Sequence, residues 1–134
     1  MSRRPRVFDS WALMAFLEDE PSADKVEALI AQAHESDVPL LVATVNLGEV
    51  WYSLARARSE ADADRAVAHL VRLGFEIVDA DWELSRQAAA FKARFRLAYG
   101  DCFAAALARL RTTELITGDR EFKQLEGEVK ILWV

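Results

Sequence analysis

The sequence predicts an α/β domain with a mainly parallel sheet covered on both faces, on three observations. Short apolar stretches alternate with helical ones along the chain. Those stretches are apolar at successive positions, which suits strands buried on both faces better than half-exposed ones. No repeat, low-complexity segment or long linker interrupts the alternation, and the glycines and prolines are scattered as punctuation. With 134 residues, 52% of them hydrophobic, the chain can fill one core, and 1–134 is read as a single domain.

Taken in order, RVFD (6–9) reads as the first strand and SWALMAFLED (10–19) as a helix beginning at Ser10. Ser22 is placed to cap a second helix, in which Val26, Leu29, Ile30 and Ala33 recur at helical spacing. PLLVA (39–43) is the second strand, followed through Thr44 by the helix VNLGEVWYSLARARS. ADADRAVAHLVRLG continues as another helix with Gly74 at its end. FEIVDA (75–80) is the third strand, with Asp79 and Asp81 as caps for a helix over 81–97. A helix over 101–112 then leads into strand ELITG (114–118), a short helix around REFKQLE and a last strand KILWV.

A net charge of −5 does not advertise a nucleic-acid binder, although a local basic groove is compatible with a negative total. The single cysteine excludes an internal disulfide and fits a reducing compartment. The basic start MSRRPR is followed by charges and lacks a cleavage pattern, so no signal peptide is read there. No run approaches the length of a membrane span. The expectation is a cytoplasmic protein without membrane attachment.

In a parallel sheet, ligand sites lie beyond the carboxyl ends of the strands. Asp9 closes the first strand, Glu49 lies early in the helix after the second, and Asp119 follows the fourth directly. Helix 101–112 covers about 16 Å and the fourth strand about 15 Å. Joined by almost no loop, they run antiparallel, which returns Asp101 to the same edge. The two consecutive helices before strand four require helix 81–97 to cross obliquely. Four converging carboxylates repel one another and raise each other's pKa values. A hard divalent cation resolves this, and the pattern points to a carboxylate–metal site for phosphoryl transfer.

Singly, each acid has a plainer explanation. Asp9, Asp101 and Asp119 fit helix caps, and Glu49 fits a solvated helix face. Ser10, Asn46 and Thr117 fit turn or cap positions, with support of metal ligands as the functional option. Glu60, Asp62 and Asp64 read as a solvated first turn, and His34 and His69 as surface or core-edge residues. Cys102 has no histidine constellation and reads as packing. ARAR (55–58), KARFR (92–96) and ARLR (108–111) read as solvated faces, with phosphate contacts as the alternative for KARFR. Trp11, Trp51 and Tyr52 read as core or interface residues before base-stacking platforms.

VFDSWALMAFLEDEPSADKVEALI, ATVNLGEVWYSLAR, YGDCFAAALARL and LITGDREF occur in the order and spacing of PIN domains. More narrowly, the chain resembles the VapC-type toxins of bacterial toxin–antitoxin pairs, over nearly its whole length. The resemblance implies a five-stranded parallel sheet in an α/β/α sandwich and an endoribonuclease dependent on Mg²⁺, with Mn²⁺ able to substitute. It carries the family's acidic positions onto Asp9, Glu49, Asp101 and Asp119, its Ser/Thr position onto Thr117 and its asparagine onto Asn46. It further implies an RNA substrate, a homodimer, and an antitoxin whose segment blocks the acidic face, often with a basic side chain. Trp11 replaces a smaller residue and Cys102 a common alanine, and neither removes a ligand. Competing readings are a binding module with little catalysis, a housekeeping RNA-processing nuclease, and a phospho-receiver. The last lacks an acid beside Asp9 and a lysine directly after ELITG.

Overall fold

The computed structural model describes residues 5–134. Five parallel strands form one sheet in the order β3-β2-β1-β4-β5, with β1 (Arg6–Phe8) at its centre. The others are β2 (Leu40–Ala43), β3 (Phe75–Val78), β4 (Leu115–Thr117) and β5 (Ile131–Trp133). The helices are α1 (Ser10–Leu17), α2 (Ala23–Glu35), α3 (Thr44–Ala57), α4 (Glu60–Arg72), α5 (Trp82–Arg94) and α6 (Tyr99–Leu110), with a short 3₁₀ helix over Arg120–Leu125.

Alternation along the strands divides the interior into two cores. Val7, Leu41, Ala43 and Leu115 point to one side, where Leu84, Ala88 and Phe91 of α5 and the alanine-rich face of α6 cover them. Phe8, Leu40, Val42 and Ile116 point to the other, under Leu13 of α1, Val26 and Ile30 of α2, and Val50 and Leu54 of α3. Both faces of β1, β2 and β4 are therefore dry, and this is why these strands read as unbroken apolar runs. The result is the α/β/α sandwich that the sequence implies.

The chain passes from β3, at one edge of the sheet, to β4, on the far side of β1. The α5–α6 pair makes this crossing, and α6 packs on β1, β2 and β4. Small residues Ala104, Ala105, Ala106 and Ala108, all buried, let α6 lie close against the strands. Gly74 ends α4 with φ +96°, a conformation that favours glycine. Among the described residues, no helix is long and apolar enough to cross a membrane.

Local departures from expectation have physical causes. Helix α6 starts at Tyr99 rather than at residue 101, and its N-cap is Ala98, so Asp101 belongs to the first turn and caps nothing. Ser22 occupies the N-cap of α2 in an α-like conformation and makes no side-chain cap bond. Asp81, not Asp79, caps α5 by accepting from Leu84 N at 2.9 Å. Asp64 is not simply solvated, since it accepts the indole N–H of Trp51 at 2.9 Å. His34 contacts the carbonyl of Leu73 and His69 stacks on Phe16, and both are exposed, which fits their reading as surface or core-edge residues.

Phe8 is fully buried at the centre of the sheet and meets Phe75 edge to face at 5.1 Å. Phe8→Ala is expected to cost about 3–5 kcal/mol in denaturant unfolding. A loss below about 1 kcal/mol would show that the site collapses to refill the space.

Candidate active site at the carboxyl edge of the sheet

The carboxylates gather because four elements end or begin at one edge. Asp9 leaves β1 and caps α1, accepting the N–H of Ala12 through Oδ1 at 2.8 Å. Its Oδ2 accepts the hydroxyl of Thr117, the last residue of β4, at 2.5 Å. Thr117 Oγ1 in turn accepts the N–H of Asp119 at 3.0 Å. Asp119 caps the 3₁₀ helix by accepting from Glu121 N at 3.0 Å. One chain of hydrogen bonds thus joins the ends of the two central strands.

Across the edge, Asn46 of α3 donates through Nδ2 to Glu49 Oε1 and to the carbonyl of Gly100, each at 2.9 Å. The carboxylate of Glu49 also rests against Gly100 so closely that a Cβ there would collide with it. Glycine at the start of α6 is therefore what allows Glu49 to approach Asp101. Glu49 and Asp101 are both half-buried.

Among the described residues, the buried polar or charged side chains are Asp9, Asn46 and Thr117, and all three stand at this edge. The Oδ1 atom of Asn46 is buried without a partner. Burying such groups is costly, and their concentration in one place marks a site rather than a packing accident.

The electrostatics agree. Burial, then the charges of Asp101 and Asp119, push Asp9 up to about 7 against the opposing bonds from Thr117 and Ala12. Burial, then Asp119, Glu49 and Glu121, push Asp101 up to about 6. None of these acids is ion-paired with a lysine, arginine or histidine among the described residues. Ligand oxygens of Asp101, Asp119 and Glu121 can all lie within 4.8 Å of one another. The donor set is all carboxylate, with no thiolate or imidazole in it, and fits a hard divalent cation such as Mg²⁺ or Mn²⁺.

Of the four acids picked out by their shared edge, Asp101 and Asp119 come within ligand distance of each other, with Glu121, while Asp9 and Glu49 stand outside that group, coupled to it by charge and held by Thr117 and Asn46. Ser10 begins α1 half-buried and makes no side-chain bond to the acids. Glu121 was not singled out in the sequence. As an acid in the first turn of a short helix it reads as solvated, and only its position two residues after Asp119 hinted otherwise. The KARFR stretch is mostly exposed, as a solvated face is, and two of its three cations are engaged within the chain. Lys92 donates to the carbonyl of Leu97 at 2.6 Å and Arg94 pairs with Glu128. Cys102 is fully buried, which raises its thiol pKa and keeps it protonated and unreactive.

Comparison with known proteins agrees with this arrangement. The profile of the PIN domain matches residues 6–128. The chain belongs to the PIN domain family. A curated relative, Ribonuclease VapC30 of Mycobacterium tuberculosis, is 28% identical over 127 residues, covering 90% of this chain and 94% of the relative. Among solved structures, VapBC2 from Rickettsia felis bound to a promoter DNA fragment superposes with a TM-score of 0.79 at 11% identity, covering 96% of this chain and 97% of that one. VapC20 of Mycobacterium tuberculosis, a toxin that cleaves the sarcin–ricin loop, gives 0.70 at 17% identity, covering 90% and 93%. These likenesses show a shared fold.

Because the folded pKa of Asp9 lies above the usual carboxylate value, the neutral acid is the form the fold favours. Its contribution to stability is full below about pH 4 and is lost as pH rises through about 7. In cation-free buffer, wild type should therefore lose more stability than Asp9→Asn between about pH 4 and pH 8. Thermal melts across that range check this, and parallel pH curves for the two proteins would refute it.

Proposed function

We propose that the chain is a VapC-type toxin, a metal-dependent endoribonuclease that hydrolyses RNA phosphodiesters. The observation that carries this reading is the convergence of Asp9, Glu49, Asp101 and Asp119 on one edge with no basic side chain paired to them. The relatives named as ribonucleases and the solved VapBC complexes supply the substrate class and the toxin role.

Asp101 and Asp119, with Asp9, Glu49 and Glu121 around them, would hold one or two Mg²⁺ ions directly or through water. The cation would supply Lewis-acid polarisation of the phosphodiester and a lowered pKa for water. The protein's own part is positioning. Thr117 and the Ala12 N–H orient Asp9, and Asn46 orients Glu49, so that the carboxylates keep their places without a ligand to organise them. Water adds to phosphorus in line while the bond to the leaving oxygen breaks. A carboxylate of the cluster accepts the water's proton, and the departing oxygen takes one up.

The same acidic edge suits a basic side chain from an antitoxin, and the solved relatives are VapBC assemblies. The proposal therefore includes a cognate antitoxin, a homodimeric toxin, a single domain over 1–134 and cytoplasmic action.

RNA cleavage is expected with Mg²⁺ or Mn²⁺, and is expected to vanish in EDTA and after Asp101→Asn. Undiminished cleavage in EDTA would sink the metal dependence. Thr117→Val should lower activity about 10–100-fold through the loosened Asp9. MgCl₂ should raise the melting temperature of wild type at pH 8 but not that of Asp101→Asn. Cys102→Ala should leave cleavage nearly intact, and its loss would reopen a role for the thiol.

A further inference from the structure

Trp11 follows Asp9 by two residues and lies half-buried in the first turn of α1. The six-membered ring of its indole rests on Gly118, where a Cβ would run into Cη2, Cζ3 and Cζ2. Gly118 stands between Thr117, which holds Asp9, and Asp119. The ring is therefore wedged against the backbone between Thr117 and Asp119, with part of its surface packed on the core that holds Phe8.

Its polar atom is available. Trp51 gives its indole N–H to Asp64 and Trp133 gives its own to Glu126 at 3.4 Å. The indole N–H of Trp11 has no partner among the described residues, nor is it among their sealed unpaired atoms, so it opens to solvent. A ring fixed along one edge loses little freedom when a ligand stacks on it. On an RNA strand, each phosphate is followed by a base one sugar away. An aromatic ring bordering the acids is placed to meet that base.

We propose that Trp11 is the base-contacting residue of the site, a platform for the nucleobase adjoining the phosphodiester held at the acids, with Gly118 as the gap that seats it. Aromatic stacking tolerates any base, so Trp11 selects for an unpaired, base-bearing strand rather than for one nucleotide. This rests on reading the chain as an RNA-cleaving enzyme.

The test uses the full chain carrying Glu49→Gln, which slows cleavage but keeps Asp101, Asp119 and Glu121 for the cation, in Mg²⁺, with fluorescence anisotropy on two probes of equal length and charge. One is a random-sequence single-stranded RNA dodecamer, and the other an abasic ribose-phosphate dodecamer. Trp11→Ala should weaken binding of the base-bearing strand about tenfold and leave the abasic strand unchanged. The unchanged abasic binding also reports that the variant is folded. Trp11→Phe should restore most of the loss. Gly118 does not lie in the left-handed region, so Gly118→Ala is tolerated by the backbone and acts by pushing the ring aside. It should mimic Trp11→Ala and add nothing to it. Equal weakening of both probes, weakening of neither, or no binding of the base-bearing strand overturns the proposal. Cleavage of the dodecamer without the Glu49 substitution is scored separately. Cleavage that proceeds alongside equal weakening fails Trp11 alone. Absent cleavage alongside selective weakening fails the ribonuclease reading and leaves Trp11 as an RNA contact.

Discussion

The hydrogen bond from Thr117 to Asp9 holds this molecule in its working shape. It is 2.5 Å long, buried from solvent, and joins the ends of adjacent central strands. Through its other oxygen, Asp9 fixes the start of α1, and through Thr117 Oγ1 the turn to Asp119 is fixed as well. A carboxylate in such a place is unfavourable for folding, as its elevated pKa records. A neutral side chain would avoid the cost of burying a charge. That an acid stands there instead is the mark of a site whose requirements override those of the core.

A second clamp, remote in sequence, does the corresponding work for Glu49. Asn46 reaches from α3 to the carbonyl of Gly100 while holding the glutamate, so α3 and α6 are registered against each other at the point where their acids meet. Two rigid brackets, one on the strand ends and one between helices, leave the carboxylates between them little room to relieve their repulsion by moving apart. The mutual charge effects on Asp9 and Asp101 follow from that confinement.

Much of this was legible in the sequence, for definite reasons. Strands dry on both faces must be apolar runs, and alternation with helices then sets the parallel sheet. The edge that collects Asp9, Glu49, Asp101 and Asp119 follows from direction alone. The clamps were not legible as clamps, because Thr117 meets a partner 108 residues away and Asn46 one 54 residues away. The true start of α6 was missed because Tyr99 and Gly100 carry no helical pattern. The basic run at residues 92–96 is a solvated face as read, but a sequence shows charges and not that Arg94 is paired with Glu128 or that Lys92 is turned onto a carbonyl.

The strand order carries one more consequence, for the protein as it is being made. Of the five described strands, β1 is made first and lies at the centre of the sheet, while its neighbour β4 lies more than a hundred residues later. A chain halted before Leu115 carries Asp9, Glu49 and Asp101, but has neither Thr117 to seat the first nor Asp119 to complete the set. Its sheet also lacks both strands on one side of β1. A protein proposed to destroy RNA thus has no assembled centre while its own message is being read, and acquires one only as the last strands arrive.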